Sequence, residues 1–175
     1  RGMRGRRALD AAALADGVTM NLSTRGRYAT RAMLELALQY GKAPQSAAAI
    51  SRAQGISARY LQQLLALLKR AGLVRVVMGR RGGFALAGPP DGIRVLDILD
   101  AVEGHLSLVE CVEHQERCAR AADCLSRTIW ADATDLLNRH FGSLTLADVL
   151  APCGKKPAAV GRGRRKPQPS AGGPR

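Results

Sequence analysis

Residues Gly55 to Leu86 indicate the fold most clearly, and they read GISARYLQQLLALLKRAGLVRVVMGRRGGFAL. The first three of these residues predict a tight turn, with Ser57 placed as the N-cap of the helix that follows. The apolar spacing predicts that this helix runs from Ala58 to Ala71, and Gly72 stands where the chain is expected to leave the helix. A helix entered through such a turn is typical of the second half of a helix-turn-helix.

This helix has two chemically different faces. Its apolar stripe consists of Leu61, Leu64, Leu65 and Leu68. The opposite side carries Arg59, Gln62, Gln63, Ala66 and Arg70 at spacings of three, four and seven. Arginine and glutamine can make bidentate contacts to guanine and adenine, and a small alanine allows close approach to a groove. We therefore expect the polar face to read the major groove of double-stranded DNA.

The residues on either side of this helix complete a winged helix-turn-helix. Upstream, the spacing predicts one helix between Ser23 and Tyr40 and a short second helix from Ser46 to Gln54. Downstream, two β-rich runs, 73–77 and 84–86, flank the basic turn Gly79-Arg80-Arg81-Gly82-Gly83, which predicts a hairpin. Such a wing can place an arginine in the minor groove. The alternative is a small helical domain with a solvated arginine loop.

Charge is divided sharply along the 175 residues, which include 27 Lys and Arg against 14 Asp and Glu. Residues 20–88 hold eleven basic side chains and one acid, Glu35, whereas residues 89–153 hold five basic and eleven acidic ones. The first half is therefore suited to phosphates and the second is not. Abundant alanine and leucine with only 3% aromatic residues favours helices over a β-sandwich. The predicted fold is mainly α with a small β-hairpin.

These patterns divide the chain into four segments. Residues 1–19 are interpreted as a leader that is disordered or not native, with Met20 as the start. Residues 20–90 form the DNA-binding domain and 91–150 hold a cysteine loop and two helices. Residues 151–175 form a basic tail without apolar periodicity, which we expect to be disordered. No apolar run is long enough for a membrane helix, so we expect no membrane partner and a cytoplasmic protein.

The acidic half contains two predicted helices. The first runs from Arg94 to Val102, and the second is longer, from Leu125 to Phe141. The apolar stripe of the longer helix must bury against something, either a second copy of the chain or its own domain. Its members are Leu125, Ile129, Ala133, Leu136, Leu137, His140 and Phe141, with Trp130 at the margin.

Three cysteines lie between these helices. Cys111, Cys118 and Cys124 fall within 14 residues, and this density in a chain with only four cysteines favours metal or redox chemistry over disulfides. Thiolates bind iron–sulfur clusters and zinc, but the spacing lacks the C-x2-C knuckle of structural zinc. Iron–sulfur, zinc, thiol redox chemistry and plain buried cysteines all stay open at this point. Cys153, at the start of the tail, is left out of the site.

Together, four stretches resemble the Rrf-two family of bacterial winged-helix regulators, and in particular its IscR and NsrR branches. They are Leu22–Ala29, Gly55–Leu61, Leu68–Val74 and Gly79–Phe84, within a resemblance that covers residues 20–150. The resemblance implies a transcriptional regulator, expected to be a repressor, that forms a homodimer through the long helix and binds a near-palindromic operator. It also implies an iron–sulfur cluster, 2Fe–2S or 4Fe–4S, held by the three cysteines.

The expected DNA contacts come from the recognition helix and the wing. They are Ser57, Arg59, Tyr60, Gln62, Gln63, Arg80 and Arg81. At three positions the sequence departs from the pattern of the family. Met78 stands where the wing arginine is expected, and Arg127 and Arg27 stand where relatives place a histidine or an aspartate ligand.

The fourth cluster ligand is therefore left open. It could come from His114, His105, a loop carboxylate or an external molecule; the carboxylates are Glu110, Glu113 and Glu116. Two competing functions follow from this gap. One is a metal-free regulator that senses thiol chemistry or no ligand at all. The other is an iron–sulfur carrier or enzyme, although the sequence offers no nucleophile–base pair or phosphate loop, so we expect no enzyme.

Overall fold

The computed structural model describes residues 23–120 and 123–154. Seven α-helices and a two-stranded antiparallel sheet lie within those ranges, with short 3-10 turns at Pro90–Gly92, Gln115–Arg117 and Ala151–Cys153. The predicted leader and most of the basic tail lie outside the described residues. In chain order the elements are α1 (Thr24–Leu38), α2 (Ala47–Gln54), α3 (Ala58–Arg70), β1 (Val74–Val77), β2 (Gly83–Leu86), α4 (Val95–Glu103), α5 (Glu110–Glu113), α6 (Leu125–Ser143) and α7 (Leu146–Leu150).

Serine caps start the first three helices. The hydroxyls of Ser23, Ser46 and Ser57 accept hydrogen bonds from backbone N–H groups in the first turns of α1, α2 and α3. The turn between α2 and α3 depends on Gly55, whose φ of 62° lies in the left-handed region. The predicted capping role of Ser57 is confirmed, and α3 ends at the C-cap Ala71 immediately before Gly72.

The two faces predicted for α3 are confirmed. Its four stripe leucines, at positions 61, 64, 65 and 68, are buried. Arg59, Gln62, Gln63, Ala66 and Arg70 are exposed. Amphipathic patterning thus aims one side of the helix into the core and leaves the other side free for a ligand.

The hairpin packs against the loop between α1 and α2. Strands β1 and β2 pair in a register that joins Val74 to Leu86 and Val77 to Gly83. Gln45 adds a bridge to Phe84, donating its N–H at 2.9 Å and accepting at 2.7 Å. This bridge, which the sequence pattern does not indicate, fixes the wing against the helices.

One hydrophobic core spans the basic and the acidic half. Met33 of α1 and Leu65 of α3 belong to the same buried cluster as Ile98 of α4 and Leu146 of α7. The predicted α4, 94–102, is thus confirmed to within one residue. The short helices α5 and α7 were not predicted, because four or five residues show too little periodicity.

The end of α4 holds the beginning of α1. Glu103 Oε1 accepts hydrogen bonds from the N–H of Gly26 at 2.7 Å and from the Ser23 hydroxyl. The Arg25 guanidinium donates to the carbonyl of Val102 at 3.0 Å. A carboxylate at a helix N-terminus stabilises free N–H groups and the positive end of the helix dipole. We call these contacts the Glu103 clamp.

The long helix α6 leaves most of its apolar stripe uncovered. Leu125, Ile129 and Leu136 are 89%, 64% and 62% exposed, and Thr134 is the one fully buried residue of the helix. At 100° per residue the three exposed side chains lie within about 40° of each other, with Thr134 opposite. Packing on the chain's own domain, as far as it is described, therefore does not account for this stripe.

No helix among the described residues is both long and apolar enough to cross a membrane.

Candidate nucleic-acid interface and cysteine loop

The recognition face is the exposed side of α3 together with its N-terminal turn. Ser57, Arg59, Gln62 and Gln63 are all exposed, and the leucine stripe holds the backbone of this helix rigidly against the core. The 13 residues of α3 span about 20 Å. Several turns of this helix can therefore lie within a major groove of DNA. The structure thus brings four predicted contact residues onto one accessible surface.

Tyr60 differs from the other predicted contact residues because its ring is half-buried. It packs edge-on against Tyr28 of α1, with 6.1 Å between ring centroids. The Arg31 guanidinium lies 5.4 Å from the centroid of Tyr28, within cation–π range. Tyr60 therefore braces α3 against α1 at least as much as it faces outward. Sequence reasoning missed Tyr28 and Arg31, since their contacts join separate helices.

The single acid of the basic half is held in a polar network. Glu35 accepts hydrogen bonds from Gln54 Nε2 at 2.8 Å and from Gln45 Nε2 at 3.4 Å. Arg31 Nε donates to Gln54 Oε1 at 3.2 Å. The carboxylate of Glu35 thus ties α1 to α2 and to Gln45, the residue that bridges to the wing.

The wing presents its two arginines at a tight turn. The N–H of Gly82 donates to the carbonyl of Gly79 at 2.9 Å, so Arg80 and Arg81 occupy the central positions. Both arginines are exposed. Their charge stands free for phosphate or groove contacts.

The cysteine loop connects α4 to α6. Cys111 lies in α5, Cys118 follows the 3-10 turn, and Cys124 is the N-cap residue of α6. All three thiols are half-buried and free of disulfides. Among residues 23–120 and 123–154, however, no three His, Cys, Asp or Glu side chains come together as metal ligands. Three cysteine thiolates are the type of ligand that binds an iron–sulfur cluster. In the described residues, however, the three thiols are not brought together as a ligand group.

Three hydrogen bonds fasten the segment before and at Cys111 to α6. Asn138 Nδ2 donates to the carbonyl of Leu106 at 3.2 Å, and the N–H of Leu108 donates to Thr134 Oγ1 at 3.3 Å. Arg127 Nε donates to the carbonyl of Cys111, also at 3.2 Å. A change in the conformation of the loop would therefore directly alter its hydrogen bonds to α6.

Arg127 therefore joins α6 to the loop through a hydrogen bond. The resemblance would place a histidine ligand at this position. Three of the other candidate ligands are already paired in the loop. His114 Nδ1 lies 3.3 Å from Glu116 Oε1, and Glu110 forms an ion pair with Arg117. Glu113 and His105 are exposed.

The thiol of Cys124 has a lowered pKa. The Ser126 hydroxyl, 3.2 Å from Cys124 Sγ, lowers the pKa of this thiol. The backbone N–H of Arg127 lowers this pKa as well, and the charge of Arg120 adds a smaller effect in the same direction. A lower pKa gives a larger thiolate fraction at neutral pH, and the thiolate is the form that binds metals and reacts with oxidants.

A helix-turn-helix whose second helix has an exposed polar face, followed by a basic hairpin, defines a winged helix-turn-helix transcriptional regulator. The chain belongs to the Rrf2 family, whose model, described as an iron-dependent transcriptional regulator, matches residues 22–152. The resemblance inferred from the sequence is thereby confirmed.

Relatives and solved structures agree with this assignment. The protein named rrf2 from Nitratidesulfovibrio vulgaris is 40% identical over 131 residues, which cover 75% of this chain and 87% of the relative. The structure of CymR, the global cysteine regulator of B. subtilis, is 34% identical with a TM-score of 0.65, over 76% of this chain and 98% of that one. T. potens IscR is 33% identical with a TM-score of 0.65, over 83% and 95%. The predicted fold class is confirmed.

Proposed function

We propose that this transcriptional regulator is a homodimer that binds a near-palindromic DNA operator with affinity set by the state of its cysteine loop. The observation that carries the proposal is the exposed Arg59, Gln62 and Gln63 face on a helix locked into the core. Arg80 and Arg81 on the wing add a second contact beside it. All seven residues predicted from the sequence to contact DNA remain part of this proposal.

The homodimer follows from the uncovered stripe of α6. Leu125, Ile129 and Leu136 would be shielded from water by the same helix of a second copy, which buries apolar area on both sides. Two recognition helices would then meet half-sites about one helical turn, or a multiple of it, apart. This geometry requires an operator with two-fold symmetry.

The cysteine loop is the proposed sensor, with Cys111, Cys118 and Cys124 as ligands of an iron–sulfur cluster. A bound cluster would supply reversible redox and ligand-exchange chemistry at its iron atoms. Contacts within the chain connect this loop to the proposed dimer helix α6 and, through α4, to helix α1. Arg127 and Thr134 tie it to the proposed dimer helix, and the Glu103 clamp ties the preceding helix to α1.

These connections allow the loop to select between arrangements of the dimer. A change at the loop shifts the equilibrium between two dimer arrangements only if its free energy differs between them. The same free-energy difference then changes the affinity for the operator. The hydrogen bonds of Leu108 and Cys111 to α6 are the contacts that would differ. The proposed switch therefore acts through the spacing of the two recognition helices.

The experiment is to purify the full chain without oxygen and to measure its visible spectrum with iron and sulfide per chain. We expect a brown protein that loses nearly all its iron in Cys111→Ser, Cys118→Ser and Cys124→Ser, because each removes one thiolate ligand. Cys153→Ser is the matched control and keeps its iron, because this cysteine lies outside the loop. Iron retained in all four variants would contradict the ligand assignment.

A second function, a metal-free thiol sensor, is favoured by the lowered pKa of Cys124 and by the likeness to a regulator named for cysteine. A colourless, iron-free protein that still binds promoter DNA, and whose binding changes on alkylation of Cys124, would establish it. Cluster transfer to an apo-protein without any DNA binding would instead indicate an iron–sulfur carrier. Either result would replace the cluster-sensor proposal.

The recognition face itself is tested by Arg59→Ala and Gln63→Ala. Each should weaken specific operator binding by about 1–3 kcal/mol, because each removes a candidate base contact. Fluorescence anisotropy on operator and scrambled duplexes measures the loss, and a base contact is lost only on the operator. Asp100→Ala, at an exposed position of α4 outside the recognition helix, the wing and the cysteine loop, serves as control. Unchanged affinity in both recognition variants would place the reading face elsewhere.

A further inference from the structure

One side of β1 becomes progressively more exposed toward the tip of the wing. Val74 and Val76 lie on the same side of β1, and Met78 follows directly after this strand. The three side chains are 2%, 40% and 87% exposed. Val74 belongs to the core, whereas Met78 projects beyond it into solvent. Because the side chain of Met78 is not buried in the core, the free energy gained by burying it can still contribute to binding a partner.

The residue across the hairpin cannot cover Met78. The register that joins Val77 to Gly83 places Gly82 next along the opposite strand. A Cβ on Gly82 would lie 2.2 Å from the carbonyl oxygen of Val77 and 2.9 Å from that of Gly79, so this position excludes a side chain. Met78 therefore stands alone at the end of the hairpin.

The surroundings of Met78 specify the charge of its partner. Arg80 and Arg81 follow it at the turn, and both are exposed. The sequence contains no acid from residue 36 to residue 90. The nearest charged residues to Met78 in the sequence are all cations. An exposed apolar side chain in such a setting fits a polyanion that also offers apolar surface, and a duplex groove, with phosphates at its rims and deoxyribose on its walls, has both.

We infer that Met78 is a specificity-determining residue that enters the minor groove of the operator while Arg80 and Arg81 hold the phosphates beside it. This inference rests on the proposed DNA-binding function. Methionine is among the side chains that wedge against base steps in minor grooves, and its flexible thioether adapts to irregular surfaces. The wing would thus favour operator sequences with deformable pyrimidine–purine steps at its contact point.

The test uses duplexes selected by the wild-type protein from a random pool, with affinity measured over a salt series. Met78→Ala should weaken binding about tenfold through lost apolar contact, with no change in the salt slope. Met78→Leu, which keeps the apolar volume, should bind like the wild type. Arg80→Ala should instead lower the slope by about one, the signature of one lost phosphate contact.

A second probe locates the groove. Inosine in place of guanine at the wing position removes the amino group from the minor groove and leaves the major-groove edge unchanged. We expect this change to alter the affinity of the wild type and to have a much smaller effect on Met78→Ala. An equal effect on both proteins would place Met78 outside the minor groove.

The outcomes separate the inference from the function on which it rests. A wild-type protein that selects no duplex would overturn the proposed function itself. Selection by the wild type together with unchanged affinity in Met78→Ala would overturn only the role of Met78.

Discussion

Ile129→Arg should convert the protein to a monomer and weaken operator binding at least about a hundredfold, because linked half-sites lose their shared effective concentration. Ile129 lies at the middle of the uncovered α6 stripe, between Leu125 and Leu136. An arginine there would have to be desolvated against a second apolar helix, which is costly without a paired charge. Analytical ultracentrifugation and operator titration measure the two effects on the same preparation.

Thr128→Arg provides the matched control for this variant. Thr128 is exposed on the same helix, about 100° around from Ile129, and it gains the same charge. We expect it to stay dimeric and to bind the operator normally. A dimeric Ile129→Arg protein, or a wild type that footprints a single unpaired half-site, would contradict the dimer built on α6.

Gly83→Ala should be the most destabilising substitution in the wing. A Cβ at this position would lie 2.4 Å from the carbonyl oxygen of Gln45, and the φ of 156° already disfavours any side chain. Neither backbone can yield, because Gln45 and Phe84 exchange two hydrogen bonds at this point. We expect a loss of about 3 kcal/mol in the free energy of unfolding, from overpacking added to backbone strain.

Gly72→Ala separates these two contributions in a denaturant unfolding series. Gly72 has a φ of 74° and no atom within 4 Å of its Cβ position, so an alanine there meets strain alone. Its expected cost is about 1–2 kcal/mol. Equal losses in the two variants would show that the wing moves away from Gln45 without resistance, and that the bridge does not fix the wing.

Local patterns predicted the parts of the fold that depend on near neighbours in sequence. The stripe of α3 and the cap at Ser57 were found because helical periodicity and capping act within a few residues. The hairpin followed from β-branched runs around a glycine-rich turn. For the same reason the exposed polar face of α3 could be predicted residue by residue from the sequence.

Contacts between distant segments escaped that reasoning. The Gln45–Phe84 bridge and the Glu103 clamp join residues 39 and 77 or more positions apart, and no periodicity encodes them. The ring contact of Tyr60 was missed for the same reason, because its partner Tyr28 belongs to another helix. In the cysteine loop, composition indicated the chemistry, whereas the arrangement of the thiols depends on the fold of a segment with little regular structure.

The core shared by the two halves has a consequence for how the protein unfolds. Ile98, Val102, Leu146 and Leu150 complete a cluster that begins with the buried faces of α1 and α3. A fragment that stopped near residue 90 would expose those faces to water and lose much of its cooperative stability. The recognition helix is therefore not an autonomous module, and denaturant should melt it together with α4 and α7 in one transition.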